Sequence, residues 1–86
     1  MKIKDGFVLR EVAGNTVVVP LGNEHTFSNM LKLNETGKLL WERLTKGATL
    51  EELCSLLVEE YEVDETTAKA DAERFVSTLQ KWNIIE

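Results

Sequence analysis

Two periodicities divide this chain, and they meet at Asn34. Before it, apolar positions recur at strand spacing; after it, Leu40, Trp41 and Leu44 begin a helical spacing. Phe7–Val12 opens with alternation, Phe7 and Leu9 on one side and Val8, Arg10 and Val12 on the other. Gly14-Asn15 predicts a two-residue loop whose glycine takes positive φ, and residues 16–19 resume in β-branched side chains. That is a hairpin pattern. Pro20 cannot donate to a ladder and predicts the end of the second strand. Residues 22–26 are a polar connection, and residues 27–33 predict a third strand. There Phe27, Asn29, Leu31 and Leu33 share one face, against Ser28, Met30 and Lys32. The two leucines beside the helix junction predict that their face meets the core; a slip of one residue would exchange the faces.

Asn34 suits an N-cap, because its side-chain oxygen can accept from a backbone N–H two or three residues on. Glu35 then sets a negative charge in the first turn, where the helix dipole favours it. The first helix is predicted over residues 34–45, stopped by Lys46-Gly47. Gly37 in its first turn is poor for propensity, and predicts a close approach of another backbone. The second helix, residues 49–61, opens with Thr49-Leu50-Glu51-Glu52, the pattern of a capping box. Leu50, Leu53, Cys54, Leu57 and Tyr61 follow as one apolar stripe. The third helix, residues 64–82, is capped by Asp64 and buries Ala68, Ala72, Phe75, Val76, Leu79 and Trp82. Ile84 and Ile85 are expected to tuck back onto the core. Trp41, Leu44, Leu53, Leu57, Phe75 and Leu79 are the expected common core. The order predicts an α+β, winged-helix-like fold: an N-terminal three-stranded antiparallel sheet followed by three helices.

Length and composition narrow this picture. With 86 residues the chain has room for a single domain over residues 1–86 and a small core. Hydrophobic and charged fractions of 43% and 29% are those of a folded domain rather than a disordered tail. No apolar run approaches the roughly 20 residues of a membrane span, and no apolar segment follows the first residues as in a signal peptide. One cysteine cannot form an internal disulfide, so a cytoplasmic setting is expected. The net charge of −5 is uneven: six basic and twelve acidic residues fall from Asn34 onward. An acidic helical half repels phosphate, so nucleic acid is not the expected partner, and without a spanning run neither is a membrane.

Candidate chemistry is sparse. His25 and Cys54 are the only side chains of the nucleophile–base kind, and they read as a loop histidine and a core cysteine. No second His or Cys supplies metal-ligand spacing. The paired carboxylates Glu51-Glu52 and Glu59-Glu60 lie in exposed helical runs, and no phosphate loop or dinucleotide fingerprint occurs. Asn34-Glu35-Thr36 fits a glycosylation sequon but reads better as a helix cap. No catalytic site, metal or cofactor is therefore expected. The third strand is different. In a meander it is an edge, and Lys32 is its only charge, a thin defence for unpaired N–H and C=O groups. Either a terminal segment or a helix covers that edge, or it accepts an extended peptide as a further strand.

With its third strand running into Leu33-Asn34-Glu35-Thr36-Gly37, then Leu40-Trp41, the Gly47 turn and Thr49-Leu50-Glu51-Glu52-Leu53, the chain resembles the PqqD-type peptide chaperones. The Tyr61…Val63-Asp64 turn and the apolar Ile84-Ile85 end extend that resemblance over nearly the whole sequence. It implies a precursor-peptide recognition element without catalysis of its own. The leader segment of a ribosomally made precursor peptide would lie between the third strand and the third helix. It would then be presented to a modifying enzyme, often of the radical S-adenosylmethionine type. Strand contacts implied by the resemblance are Ser28, Asn29, Met30, Leu31 and Lys32. Facing helix positions are Asp71, Arg74, Phe75 and Thr78, although for Phe75 a place in the core is preferred. PQQ biosynthesis is one setting of this family; lasso and thioether peptides are others. The rival reading is a winged-helix DNA-binding transcription regulator. Against it, the third helix carries Asp64, Glu65, Asp71 and Glu73 beside Lys69, Arg74 and Lys81, a poor surface for a phosphate backbone.

Overall fold

Among the described residues the elements run β1 (Phe7–Val12), β2 (Asn15–Pro20), β3 (Leu31–Leu33), α1 (Glu35–Thr45), α2 (Leu50–Tyr61) and α3 (Glu65–Lys81). The computed structural model describes residues 1–20 and 31–85. Residues 27–30 of the predicted third strand thus lie outside the described residues. The strands form one antiparallel sheet in the order β1-β2-β3, followed by the three helices, which is the predicted α+β arrangement.

The hairpin departs from expectation by one residue. Val12 pairs with Asn15, so the two-residue loop is Ala13-Gly14 rather than Gly14-Asn15. Both loop residues have positive φ, +52° and +81°. Two successive left-handed residues match the twist of the flanking strands, which is why such loops dominate tight hairpins. Asn15 is then free to begin β2. As the middle strand, β2 buries Thr16, Val17, Val18 and Val19 in succession and ends at Pro20, as predicted. Leu31 and Leu33 pack against the core while Lys32 is exposed, so the predicted faces hold for these three residues.

Each helix starts where its cap was read. Asn34 accepts from the Gly37 N–H at 2.8 Å, and Asp64 accepts from the Thr67 N–H at 2.8 Å. Thr49 and Glu52 exchange both bonds of a capping box, at 2.9 and 3.1 Å. At the other end, Arg43 donates to the Gly47 carbonyl and pairs with Glu52 at 2.7 Å, bracing the turn between α1 and α2. Gly47 there has φ +93°, a conformation that glycine adopts without steric penalty.

Trp41, Leu44, Leu53, Leu57 and Leu79 are buried in one cluster with Val18, Leu40, Ala68, Ala72 and Val76. Full burial of each leucine contributes about 1.5–3 kcal/mol relative to exposure. Three expectations need correction. Phe75 is half-buried rather than fully within the core. Trp82 is 40% exposed, because α3 ends at Lys81 and Asn83, at φ +57°, turns the chain away. That turn delivers Ile84 and Ile85 to the core, where both are buried as predicted. Tyr61 is 42% exposed, since burial along α2 stops short of its last residue.

Periodicity left the first residues unassigned, yet they close the fold. Ile3 is buried and forms an isolated antiparallel bridge with Ile85. Lys4 N–H donates to the Ile84 carbonyl at 2.8 Å, and Ile3 N–H to the Leu44 carbonyl at 3.1 Å. Met1 and Ala48 exchange two further bonds, the terminal ammonium donating at 2.9 Å and the Ala48 N–H at 2.8 Å.

Candidate functional site

The sheet order leaves β3 at an edge. Its inner side pairs with β2 through Leu33↔Thr16, Lys32↔Val17 and Leu31↔Val18. No strand pairs with its outer side among the described residues. On an unpaired edge every second residue directs its N–H and C=O outward. That edge faces α3 across a groove of about 650 Å³.

The groove joins segments that lie on either side of α2 in the chain. Leu31 and Lys32 form one wall; Asp71, Arg74, Phe75 and Thr78 form the other. Those four helix positions are spaced i, i+3, i+4, i+7, so they share one side of α3. Six of the predicted site residues are thereby brought together. Ser28, Asn29 and Met30 lie outside the described residues. The sequence reading missed Leu33, Thr36, Gly37 and Leu40, at the floor and strand–helix junction, and Asn15 at the hairpin end. One signal was present: a glycine in the first turn of a helix asks what it makes room for. The answer differs from the expected backbone approach. An added Cβ at Gly37 would meet the side chains of Leu33 and Asn34 at 3.3 Å each.

Apolar groups make the floor and charges make the rim. Leu31, Leu33 and Phe75 are half-buried against the core, so their exposed parts supply the groove's apolar surface. Arg74 and Asp71 stand 3.6 Å apart with side chains 77% and 43% exposed. Such an exposed pair holds together by no more than about 1 kcal/mol, so either partner is available to an incoming charge. Thr78 donates its hydroxyl to the Arg74 carbonyl at 3.0 Å, within its own helix. On the far side of the hairpin, Thr16 donates to Glu11 at 2.9 Å, and Lys38 of α1 approaches the same carboxylate at 3.9 Å.

Of the two nucleophile candidates, His25 lies outside the described residues. Cys54 is half-buried on α2, and burial first, then the nearby Glu73 carboxylate, push its thiol up. A thiol so placed stays protonated and is a poor nucleophile. Among the described residues no group of three or more His, Cys, Asp or Glu could hold a metal ion. No helix among them is long and apolar enough to cross a membrane.

Comparison with known proteins adds three findings. The family described as coenzyme PQQ synthesis protein D (PqqD) matches over residues 8–85. No curated protein matches. Among solved structures, TbiB1 in complex with the TbiA(beta) leader peptide is similar with a TM-score of 0.77 and 27% identity, over 100% of this chain and 95% of that one. A lasso peptide synthetase B1 complexed with its leader peptide is similar with a TM-score of 0.74 over 96% of this chain and 93% of that one. At 22% identity, that second likeness speaks for the fold alone.

Proposed function

Since this chain belongs to the family of coenzyme PQQ synthesis protein D, we propose that it binds the leader segment of a ribosomally made precursor peptide and presents it to a modifying enzyme. The observation that carries this reading is the edge of β3, unpaired among the described residues, facing α3 across a groove with an apolar floor. An extended leader adds there as a further strand. Main-chain bonds to β3 supply affinity with little dependence on sequence, and alternate side chains of the peptide enter the floor around Leu33, Leu40 and Phe75. Lys32 and Arg74 at the rim favour a carboxylate on the peptide, while Asp71 favours a cation. TbiB1, similar over the full length, is named as a complex with a leader peptide, which supports the same use of this fold.

The contacts we assign are Leu31, Lys32, Asp71, Arg74, Phe75 and Thr78, together with Ser28, Asn29 and Met30. In this reading residues 1–86 act as one peptide-holding domain in the cytoplasm. Covalent chemistry belongs to the partner enzyme, for which a radical S-adenosylmethionine enzyme is the family's frequent choice.

Titrating isotope-labelled protein with a leader peptide encoded beside its gene tests this. Micromolar or tighter binding is expected, about −8 kcal/mol or stronger. Amide shifts should concentrate in residues 31–33 and near Asp71, Arg74 and Thr78. N-methylating successive peptide residues should weaken binding at every second position, because only alternate N–H groups of an added strand face β3. Shifts confined to the surface of α1 and α2, or indifference to N-methylation, would overturn strand addition.

A further inference from the structure

A second groove, of about 760 Å³, lies between α2 and α3 and shares no lining residue with the first. Its floor is Leu50, Cys54 and Val58, spaced i, i+4, i+8 along α2 and each only half-buried. Full burial on α2 falls to Leu53 and Leu57, whereas this stripe packs only partly against the core and leaves apolar surface exposed in the groove. Glu51, Glu59 and Glu65 stand at the rim, exposed and outside every ion pair among the described residues. The one rim cation, Lys69, is 4.0 Å from Glu73. Glu52, by contrast, is not part of this lining and is bound to Arg43 and the Thr49 N–H. The protonated Cys54 serves as a small apolar group of the floor.

We propose that the α2–α3 groove docks a basic amphipathic helix of a partner protein, which on the reading above is the modifying enzyme. Two turns of apolar floor suit leucine-like side chains at i, i+3/i+4 and i+7 of an incoming helix. Three uncompensated carboxylates around that floor select lysine and arginine and steer their approach. A second copy of this chain is a poor occupant, because it would bring the same carboxylates together at a net charge of −5 each. The two grooves flank α3, with Asp71, Arg74, Phe75 and Thr78 on one side and Glu65 and Lys69 on the other. A helix seated here therefore leaves the β3 edge open, and leader and enzyme are held together. Only the partner's identity rests on the proposed function; the groove's chemistry does not.

The probe is a helical peptide of about 18 residues, five turns, with leucine on one face and lysine on the other. It is titrated into isotope-labelled full-length protein, alone and saturated with leader. Amide shifts should appear at Leu50, Cys54, Val58 and Lys69 while leader-induced shifts persist. Glu51→Gln with Glu59→Gln should weaken the probe about tenfold, or about 1.4 kcal/mol. Glu60→Gln with Glu62→Gln, equal in charge but outside the groove, should not. The first double variant should also lose binding to the modifying enzyme encoded beside the gene while retaining leader affinity. Equal effects of the two double variants, displacement of leader by the probe, or undiminished enzyme binding would each overturn the proposal. Should the leader fail to bind while the probe behaves as stated, the proposed function falls and the groove assignment stands.

Discussion

At Gly37 the first turn of α1 sacrifices helix propensity so that the Asn34 cap and Leu33 can sit against it. An alanine there gains up to about 1 kcal/mol of propensity. Its Cβ, however, would stand 3.3 Å from both Asn34 Oδ1 and Leu33 Cβ. Relief requires Leu33 to shift by a few tenths of an ångström, and Leu33 ends the strand that lines the groove. Gly37→Ala should therefore leave stability within about 1 kcal/mol of the parent while weakening leader binding; unchanged affinity by calorimetry would refute this coupling. Trp41 is the opposite case, a residue whose duty is packing. At 4% exposure, Trp41→Ala should cost about 3–5 kcal/mol by denaturant unfolding, from lost transfer energy and the cavity left behind. A cost within about 0.5 kcal/mol, as at a surface site, would mean that the ring is not part of the core. Trp41 was legible because it falls within a helical repeat flanked by Leu40 and Leu44. Trp82 was not, because its fate depends on a left-handed residue just beyond it, at Asn83, and the apolar period runs through that point unbroken.

The elements depend heavily on their ends. Glu52 is held below its ordinary value of 4.5, chiefly by the Thr49 N–H, with Arg43 acting the same way against some desolvation. Asp64 is held below its ordinary 3.8 by hydrogen bonding to Thr67. A carboxylate whose folded pKa is depressed contributes stability above its unfolded pKa and loses it as pH falls through the folded one. The melting temperature should therefore be insensitive to these groups near neutrality and decline once pH falls below 4.5. Replacing both, with Glu52→Gln and Asp64→Asn, keeps acceptors in place but removes the titration. That protein should show a shallower acid limb; a superimposable one would show that the caps do not carry the acid sensitivity. Caps were the most legible feature of the sequence, since each is encoded by residues within four positions of one another. The hairpin loop was misplaced by one residue because both Gly14 and Asn15 tolerate positive φ. Pairing of Val12 with Asn15 decides between them, and pairing is not a local property.

Over the whole molecule, charge separates two uses of one architecture. A winged helix that reads DNA needs a basic helix to meet phosphate, and its affinity falls steeply with salt. Here α3 has Lys69, Arg74 and Lys81 against Glu65, Asp71 and Glu73, and two of those cations already face carboxylates, Lys69 with Glu73 and Arg74 with Asp71. The side of α3 that carries Asp71, Arg74, Phe75 and Thr78 lines a groove of the protein itself. Its four lining residues were implied by the family resemblance, with helical spacing grouping them on one face, and the strand opposite was legible from the order of the elements. Asn15 was not, since the hairpin end reaches the site only through packing against a segment distant in sequence, and of the strand–helix junction only Gly37 carried a signal. Mixed-sequence duplex titrated at physiological salt should produce no complex, and lowering the salt should produce at most weak binding that is insensitive to charge reversal on α3. A micromolar complex that weakens steeply with added salt, and that Arg74→Glu makes both weaker and less salt-dependent, would transfer this surface from peptide to DNA. The same Arg74→Glu protein gives the complementary result if the peptide reading is right. It should lose affinity for leaders that place a carboxylate at the rim and keep affinity for leaders that do not, because main-chain bonding to β3 is untouched by the substitution.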